Sequence, residues 1–185
     1  MGVTTNPMLL KMEKVTAFDF YDNLSSIDEI ILSFFQITKR EEVEKFYEIP
    51  AINRPKIVFK IPLVKEHYNF LKSIKNFKYF KYYTCGTITY DLVQLYTALD
   101  LGVDYCIILV SKNENKNFLE EAVEFKNKHK YKTDLIAASF REKNDIIRAL
   151  SSGVEYLTIP PNVMEKIFIN AQAEKDYENF SNYIS

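Results

Sequence analysis

The chain has 185 residues, 47% of them hydrophobic and 26% charged, and a formal net charge of −1. That length predicts one domain over 1–185 with ample material for a core, and the balanced charge excludes the basic surplus of a nucleic-acid or lipid-surface binder. The longest apolar runs, such as YCIILV at 105–110, are too short to cross a bilayer, and the N-terminus has no charged-then-apolar leader pattern, so a cytoplasmic protein with no membrane partner is expected.

Short apolar strands alternate with helical patterns along the chain. The predicted strands are GVTT (2–5), LSFFQI (32–37), IVFKIP (57–62), YYTCGT (82–87), DYCIILV (104–110), LIAASF (135–140) and EYLTIP (155–160). Between them apolar residues recur at three- and four-residue steps over 41–49, 66–76, 90–100, 117–130 and 142–150, with weaker helical character over 17–28 and a last amphipathic helix over 173–184. Strand starts fall roughly 20–30 residues apart, the length of one βα unit. Two stretches echo one another: ALDLGVDYCIIL from Ala98 and ALSSGVEYLTIP from Ala149 each end a helix at glycine and enter a strand through Val, an acid and Tyr. Gly102 and Gly153 suit a left-handed helix end, which glycine adopts without strain. The pattern predicts a parallel α/β architecture of the (β/α)8 barrel type, with seven strands visible rather than eight.

Cys85 and Cys106 lie in strand-like apolar surroundings and read as reduced core residues. His67 and His129 have no cysteine or histidine at ligand spacing, so no metal site is expected.

One residue conflicts with its surroundings. Side chains alternate along a strand, so Val58, Lys60 and Pro62 share one face of IVFKIP while Phe59 and Ile61 share the other. The bulky pair suits the face packed on helices, which leaves Lys60 facing the barrel interior. Burial disfavours an ammonium and lowers its pKa, and a neutral amine attacks carbonyls to give Schiff bases. The alternative is a lysine whose stem is buried while its head reaches water at the strand end. Polar residues gather at several predicted strand ends: Thr4, Thr5 and Asn6, then Thr87, then Ser139 and Arg141, with Gln36 inside an otherwise apolar strand. The C-terminal ends of barrel strands form the active face, although a lone polar residue at such a place is more often a helix N-cap.

The motifs GVTTNP, IVFKIP, CGT and AASFR, in this order and spacing, resemble the transaldolase family, most closely its small branch, which includes the fructose-6-phosphate aldolases. The resemblance runs from Gly2 to the last helix. It implies a (β/α)8 barrel and a class I mechanism without a cofactor, acting on a phosphorylated sugar such as those of the pentose phosphate pathway. Lys60 falls on the Schiff-base lysine, which would hold a dihydroxyacetone unit. Asn6 falls on an asparagine that hydrogen-bonds that unit, with Thr5 beside it, while Gln36 and Thr87 fall on residues that place the catalytic water. Ser139 and Arg141 match phosphate-binding residues. Lys112 stands where the family usually has an arginine; it keeps the charge and loses the bidentate fork. Leu109 replaces an aromatic, and Met8 a serine.

In the family one strand–helix unit precedes GVTTNP, and its strand carries a proton-handling aspartate. This sequence begins one residue before the motif, so that aspartate has no expected counterpart, and GVTT and EYLTIP are expected to have unpaired edges. A longer gene, a decayed paralogue or a neighbouring subunit filling the gap would each account for this. Three functions follow: Schiff-base transfer or cleavage of a dihydroxyacetone unit of a ketose phosphate, non-catalytic binding of a sugar phosphate or a protein partner, or another class I aldol reaction on the same fold. Tyr177, Phe180 and Tyr183 on the tail helix suggest a homo-oligomer, since such a helix packs on a neighbouring subunit in the small branch; the alternative is that it caps its own barrel.

Overall fold

A computed structural model describes residues 2–24, 26–47, 56–75, 82–167 and 169–181. Seven strands run through it: β1 (Gly2–Thr4), β2 (Leu32–Gln36), β3 (Lys56–Pro62), β4 (Tyr83–Thr89), β5 (Tyr105–Leu109), β6 (Asp134–Ala138) and β7 (Tyr156–Leu157). They form one parallel sheet in sequence order, each strand hydrogen-bonded to the next. The helices are α1 (Pro7–Met12), α2 (Ala17–Leu24), α3 (Arg40–Tyr47), α4 (Lys65–Lys75), α5 (Leu92–Asp100), α6 (Phe118–His129), α7 (Lys143–Ser152), α8 (Pro161–Ile167) and α9 (Ala171–Ser181). The parts of the predicted helices at 48–49, 76 and 182–184, and Tyr183, lie outside the described residues.

The two faces of the sheet differ as the strand alternation requires. Phe35, Ile57, Phe59, Ile61, Cys106, Ile108, Leu135 and Ala137 face outward into the main core against the helices. Phe34, Val58, Cys85, Ile107, Ile136 and Ala138 form a second, smaller cluster on the inner face. Around β2 and β3 the outer core is aromatic. Phe46 of α3 lies 5.2 Å from Phe35 and 5.3 Å from Phe59, and stacks on Phe18 of α2 at 4.7 Å. Burying each such ring stabilises the fold by about 2–3 kcal/mol. One outward residue stands apart: the hydroxyl of Ser33 on β2 is fully buried without a hydrogen-bond partner.

The sheet curls, so that residues of β1 (Gly2, Thr4) and β7 (Tyr156, Leu157) line one cavity with Phe34 and Tyr105, about 360 Å³ in volume. Among the described residues the sheet forms part of a (β/α)8 barrel, with no pairing between β1 and β7. The cavity lies against the early residues of the central strands and does not include Lys60.

Local signals set the helix ends. Asp91 caps α5 by accepting from the N–H groups of Val93 and Gln94, each at 2.8 Å. Gly153 closes α7 in the left-handed conformation, at φ 81°, and Gly102 follows α5 at φ 68°. Acids Glu120 and Glu121 open α6 and Lys126, Lys128 and His129 end it, matching the helix dipole. Helices α1 and α8 lie in stretches for which no element is predicted. Two predicted strands are corrected. The strand predicted over 135–140 stops at Ala138, because Ser139 turns left-handed at φ 66°. The strand predicted over 155–160 keeps only Tyr156 and Leu157, while Thr158 still donates to the Ala137 carbonyl at 2.9 Å.

Candidate active site

Lys60 sits on the inner face of β3, between Gln36 of β2 and Cys85 of β4 in register. It is 6% exposed, so its head does not reach open solvent. Its ammonium donates to Thr4 Oγ1 at 2.9 Å and to the carbonyl of Thr5. Both acceptors belong to the end of β1, so the side chain crosses over β2 to reach them. Burial pushes the Lys60 pKa down from 10.5 to about 8, and the charge of a Cys85 thiolate would oppose this. That opposition is weak in practice. Burial pushes the Cys85 thiol well above 9.0, so it is uncharged near pH 8. With a pKa of about 8, roughly a tenth of the amines are neutral at pH 7, against roughly one in three thousand for an ordinary lysine.

Asn6 caps α1: its Oδ1 accepts from the Leu9 N–H at 3.0 Å. The structural role expected of a polar strand end is therefore real here, and it leaves the amide NH2 free for another acceptor. Gln36 is half-buried at the end of β2. Thr5 and Thr87 are each 5% exposed, and neither hydroxyl has a hydrogen-bond partner among the described residues. Among the described residues the only fully enclosed unpaired side-chain oxygen is that of Ser33, so the Thr5 and Thr87 oxygens remain accessible to water or to a bound polar molecule. Thr87 lies opposite Pro62 in register, at the carboxyl end of β4.

A second group stands at the ends of β5 and β6. These strands pair from Tyr105↔Asp134 to Leu109↔Ala138, and Val110 then donates to the Ala138 carbonyl at 2.9 Å. The following loops carry Lys112, Ser139 and Arg141 side by side. Lys112 and Arg141 are exposed, Ser139 is half-buried, and none of the three side chains has a partner among the described residues. Ser111 donates to Asp145 in the first turn of α7 at 2.5 Å, which ties the Lys112 loop to that helix. Glu142 occupies the N-cap of α7 without a capping side-chain bond. The two groups make no hydrogen bond or ion pair with one another among the described residues.

Two members of this constellation are given no part in the chemistry by the sequence: Thr4, there only a polar strand-end residue, is the side-chain acceptor for Lys60, and Cys85, read as a core residue, is its register neighbour. Parity was the available signal for Thr4. It pairs with inward Phe34, so it faces inward as well.

The model of the transaldolase/fructose-6-phosphate aldolase family matches residues 36–184, most of the chain. The chain belongs to this family. It is 25% identical over 191 residues to a probable transaldolase of Kosmotoga olearia, covering 98% of this chain and 84% of that protein. A probable transaldolase of Bacillus cereus is 25% identical, with 97% of this chain and 85% of the relative covered. One of Alkaliphilus metalliredigens is 24% identical with the same coverage. Membership places the curled sheet among (β/α)8 barrels and the chemistry among transaldolase-like aldol reactions. Lys60 and Thr87 fall within the residues matched by the family model, while Thr4, Thr5 and Asn6 precede them.

Proposed function

We propose that this chain carries out class I aldol chemistry on a ketose phosphate, with Lys60 as the Schiff-base nucleophile. The observation that carries this reading is a lysine 6% exposed on the inner face of the barrel, with a pKa lowered to about 8. The neutral amine adds to the ketose carbonyl, and loss of water leaves an iminium. As the hydroxyl on the departing carbon gives its proton to water, cleavage of the adjacent carbon–carbon bond sends its electron pair into that iminium, releasing an aldehyde and leaving an enamine. The enamine either takes a proton or attacks an acceptor aldehyde, and water then hydrolyses the imine to free Lys60.

The remaining residues divide the work. The amide NH2 of Asn6 and the hydroxyl of Thr5 bind the oxygens of the dihydroxyacetone unit. Gln36 and Thr87 hold the water that forms and hydrolyses the imine. Lys112, Ser139 and Arg141 bind the phosphate at the ends of β5 and β6, where the uncapped start of α7 adds backbone donors. No cofactor takes part. The substrate class suits sugar-phosphate metabolism, such as the pentose phosphate pathway, in the cytoplasm. The aromatic rings of α9, with Tyr177 73% and Phe180 68% exposed and no buried residue on that helix, favour a homo-oligomer.

Sodium borohydride with fructose 6-phosphate, followed by peptide mass spectrometry, tests the reading. A reduced adduct on Lys60 is the expected result, and its absence counts against the whole mechanism. A second reading, sugar-phosphate binding without turnover, is favoured by one observation: the residues that touch or flank Lys60, namely Thr4, Thr5, Gln36 and Cys85, include no carboxylate. Adduct formation without release of an aldehyde would support it.

A further inference from the structure

Four non-glycine residues among those described have positive φ: Lys14, Ile88, Lys130 and Ser139. Lys130 is the C-cap of α6, and Lys14 follows the C-cap of α1, places where a left-handed residue is ordinary. The other two lie at the carboxyl ends of β4 and β6. Ile88 is the least expected, because a β-branched side chain at φ 63° crowds its own backbone. Such strain persists only where the surrounding structure enforces it, and it clusters at functional sites.

The enforcement is visible in the pairing of β4 with β5. Gly86 pairs with Cys106 and Thr89 with Ile108, so three steps on β4 match two on β5. This is a β-bulge, with one extra residue between two positions that both face outward. Gly86 faces the helices, since a Cβ there would meet Leu63 at 3.1 Å and Ala98 at 3.2 Å. Thr89 faces outward too, with its hydroxyl 3.4 Å from the Cys106 sulfur. Thr87 and Ile88 thus share the one inward place between them. The chain is held on either side of Ile88: Leu63 donates to the Thr87 carbonyl at 2.8 Å, and Asn113 donates to the Tyr90 carbonyl at 3.0 Å. The adjustable element in this stretch is the backbone at Ile88, and the side chain it aims is the unpaired hydroxyl of Thr87.

We propose that Ile88 is a positioning residue: its left-handed turn in the β4 bulge aims the Thr87 hydroxyl at the water that exchanges with the Lys60 imine. This rests on the Schiff-base reading above. It predicts that strain at Ile88 can be relieved without loss of the imine-water step, while loss of the bulge slows imine formation and hydrolysis alike and leaves ketose binding intact.

The readout is oxygen exchange. Each imine formed expels the ketose carbonyl oxygen as water, and each hydrolysis returns one from solvent, so an ¹⁸O-labelled carbonyl of fructose 6-phosphate loses its label without any carbon–carbon cleavage. Ile88→Asn keeps a residue that accepts the left-handed conformation; Ile88→Val keeps the strain. Relief of strain raises Tm by about 2–4 °C in the Asn variant, with at least roughly a third of the exchange rate kept, and leaves Tm of the Val variant within about 1 °C. Deletion of Ile88 removes the bulge. The borohydride adduct on Lys60 still accumulates, on long incubation only, exchange falls about a hundredfold or more, and the ketose concentration for half-maximal exchange stays within about twofold.

A deletion variant that exchanges at the wild-type rate overturns the inference alone. So does an Asn variant no more stable than the Val variant, which decides the matter even if the deletion does not fold. A wild-type protein that gives neither adduct nor exchange overturns the functional reading, and this inference with it.

Discussion

Lys60 on β3 and Thr4 on β1 meet across an intervening strand, with 2.9 Å between the amine and the hydroxyl. The contact, with the neighbouring Thr5 carbonyl, gives a desolvated ammonium two acceptors. Because the pKa lies at about 8, the rate of borohydride-trappable adduct formation should climb through pH 7 and level off above about 9. Thr4→Val removes one acceptor of the charged form, so its rate profile should be displaced to lower pH, while Thr4→Ser should restore the wild-type profile. A wild-type profile still rising steeply at pH 10 would show an ordinary, hydrated lysine.

The same displacement predicts a pH-dependent stability. The native amine binds its proton at about 8 and the unfolded one at 10.5. Between those values the unfolded chain holds the extra proton, so stability rises with pH across that window. Below pH 8 the full penalty remains, roughly 3 kcal/mol at about 1.4 kcal/mol per pH unit. Lys60→Met should be more stable than wild type at pH 7 by about 1–3 kcal/mol, after the lost hydrogen bonds are set against the relieved desolvation. Its advantage should shrink between pH 8 and 10.5. Urea titrations of both proteins across that range check this, and parallel curves would refute it.

Charge at the ends of β5 and β6 predicts a distinction between substrates. Arg141→Ala should weaken binding of fructose 6-phosphate about tenfold or more, because a charge-assisted bond to phosphate is lost. Adduct formation with unphosphorylated dihydroxyacetone should be almost unaffected. Equal losses for both compounds would place Arg141 outside phosphate recognition.

Ser33 offers a test of the fold away from the chemistry. Its hydroxyl is buried and unpaired, which costs about 1–3 kcal/mol relative to a satisfied group. Ser33→Ala should therefore be neutral or stabilising, by up to about 2 kcal/mol, with adduct formation unchanged. A clear fall in Tm would reveal a partner for that hydroxyl.

Strand periodicity carried most of the architecture. Seven strands were legible because each is a short apolar run bounded by helical periodicity, and Lys60 stood out because its parity conflicts with its polarity. Asn6, Thr87, Ser139 and Arg141 were visible as polar residues at strand ends. What was not legible depended on backbone geometry. Nothing in CGTITY marks a bulge, since isoleucine and threonine both favour regular strand, so Thr89 would have been assigned the inner face that it does not occupy. The contact from Lys60 to Thr4 depends on register across three strands, which alternation within one strand does not supply. Helices α1 and α8 are brief and bury few or no residues, yet each opens with proline just inside its start, a signal that periodicity alone overlooks.

The partnership of Lys60 with the end of β1 also couples chemistry to breathing. β3 is clasped on both flanks, whereas among the described residues β1 is paired with β2 alone, so this margin of the described sheet loosens more readily than its middle. Each time that margin lifts, the amine loses Thr4 and Thr5 together and meets water, where it regains its proton and its indifference to carbonyls. The nucleophile's readiness is thus a gauge of how tightly the lip of the curled sheet is held shut, and anything that clamps that lip would sharpen the reagent without touching it.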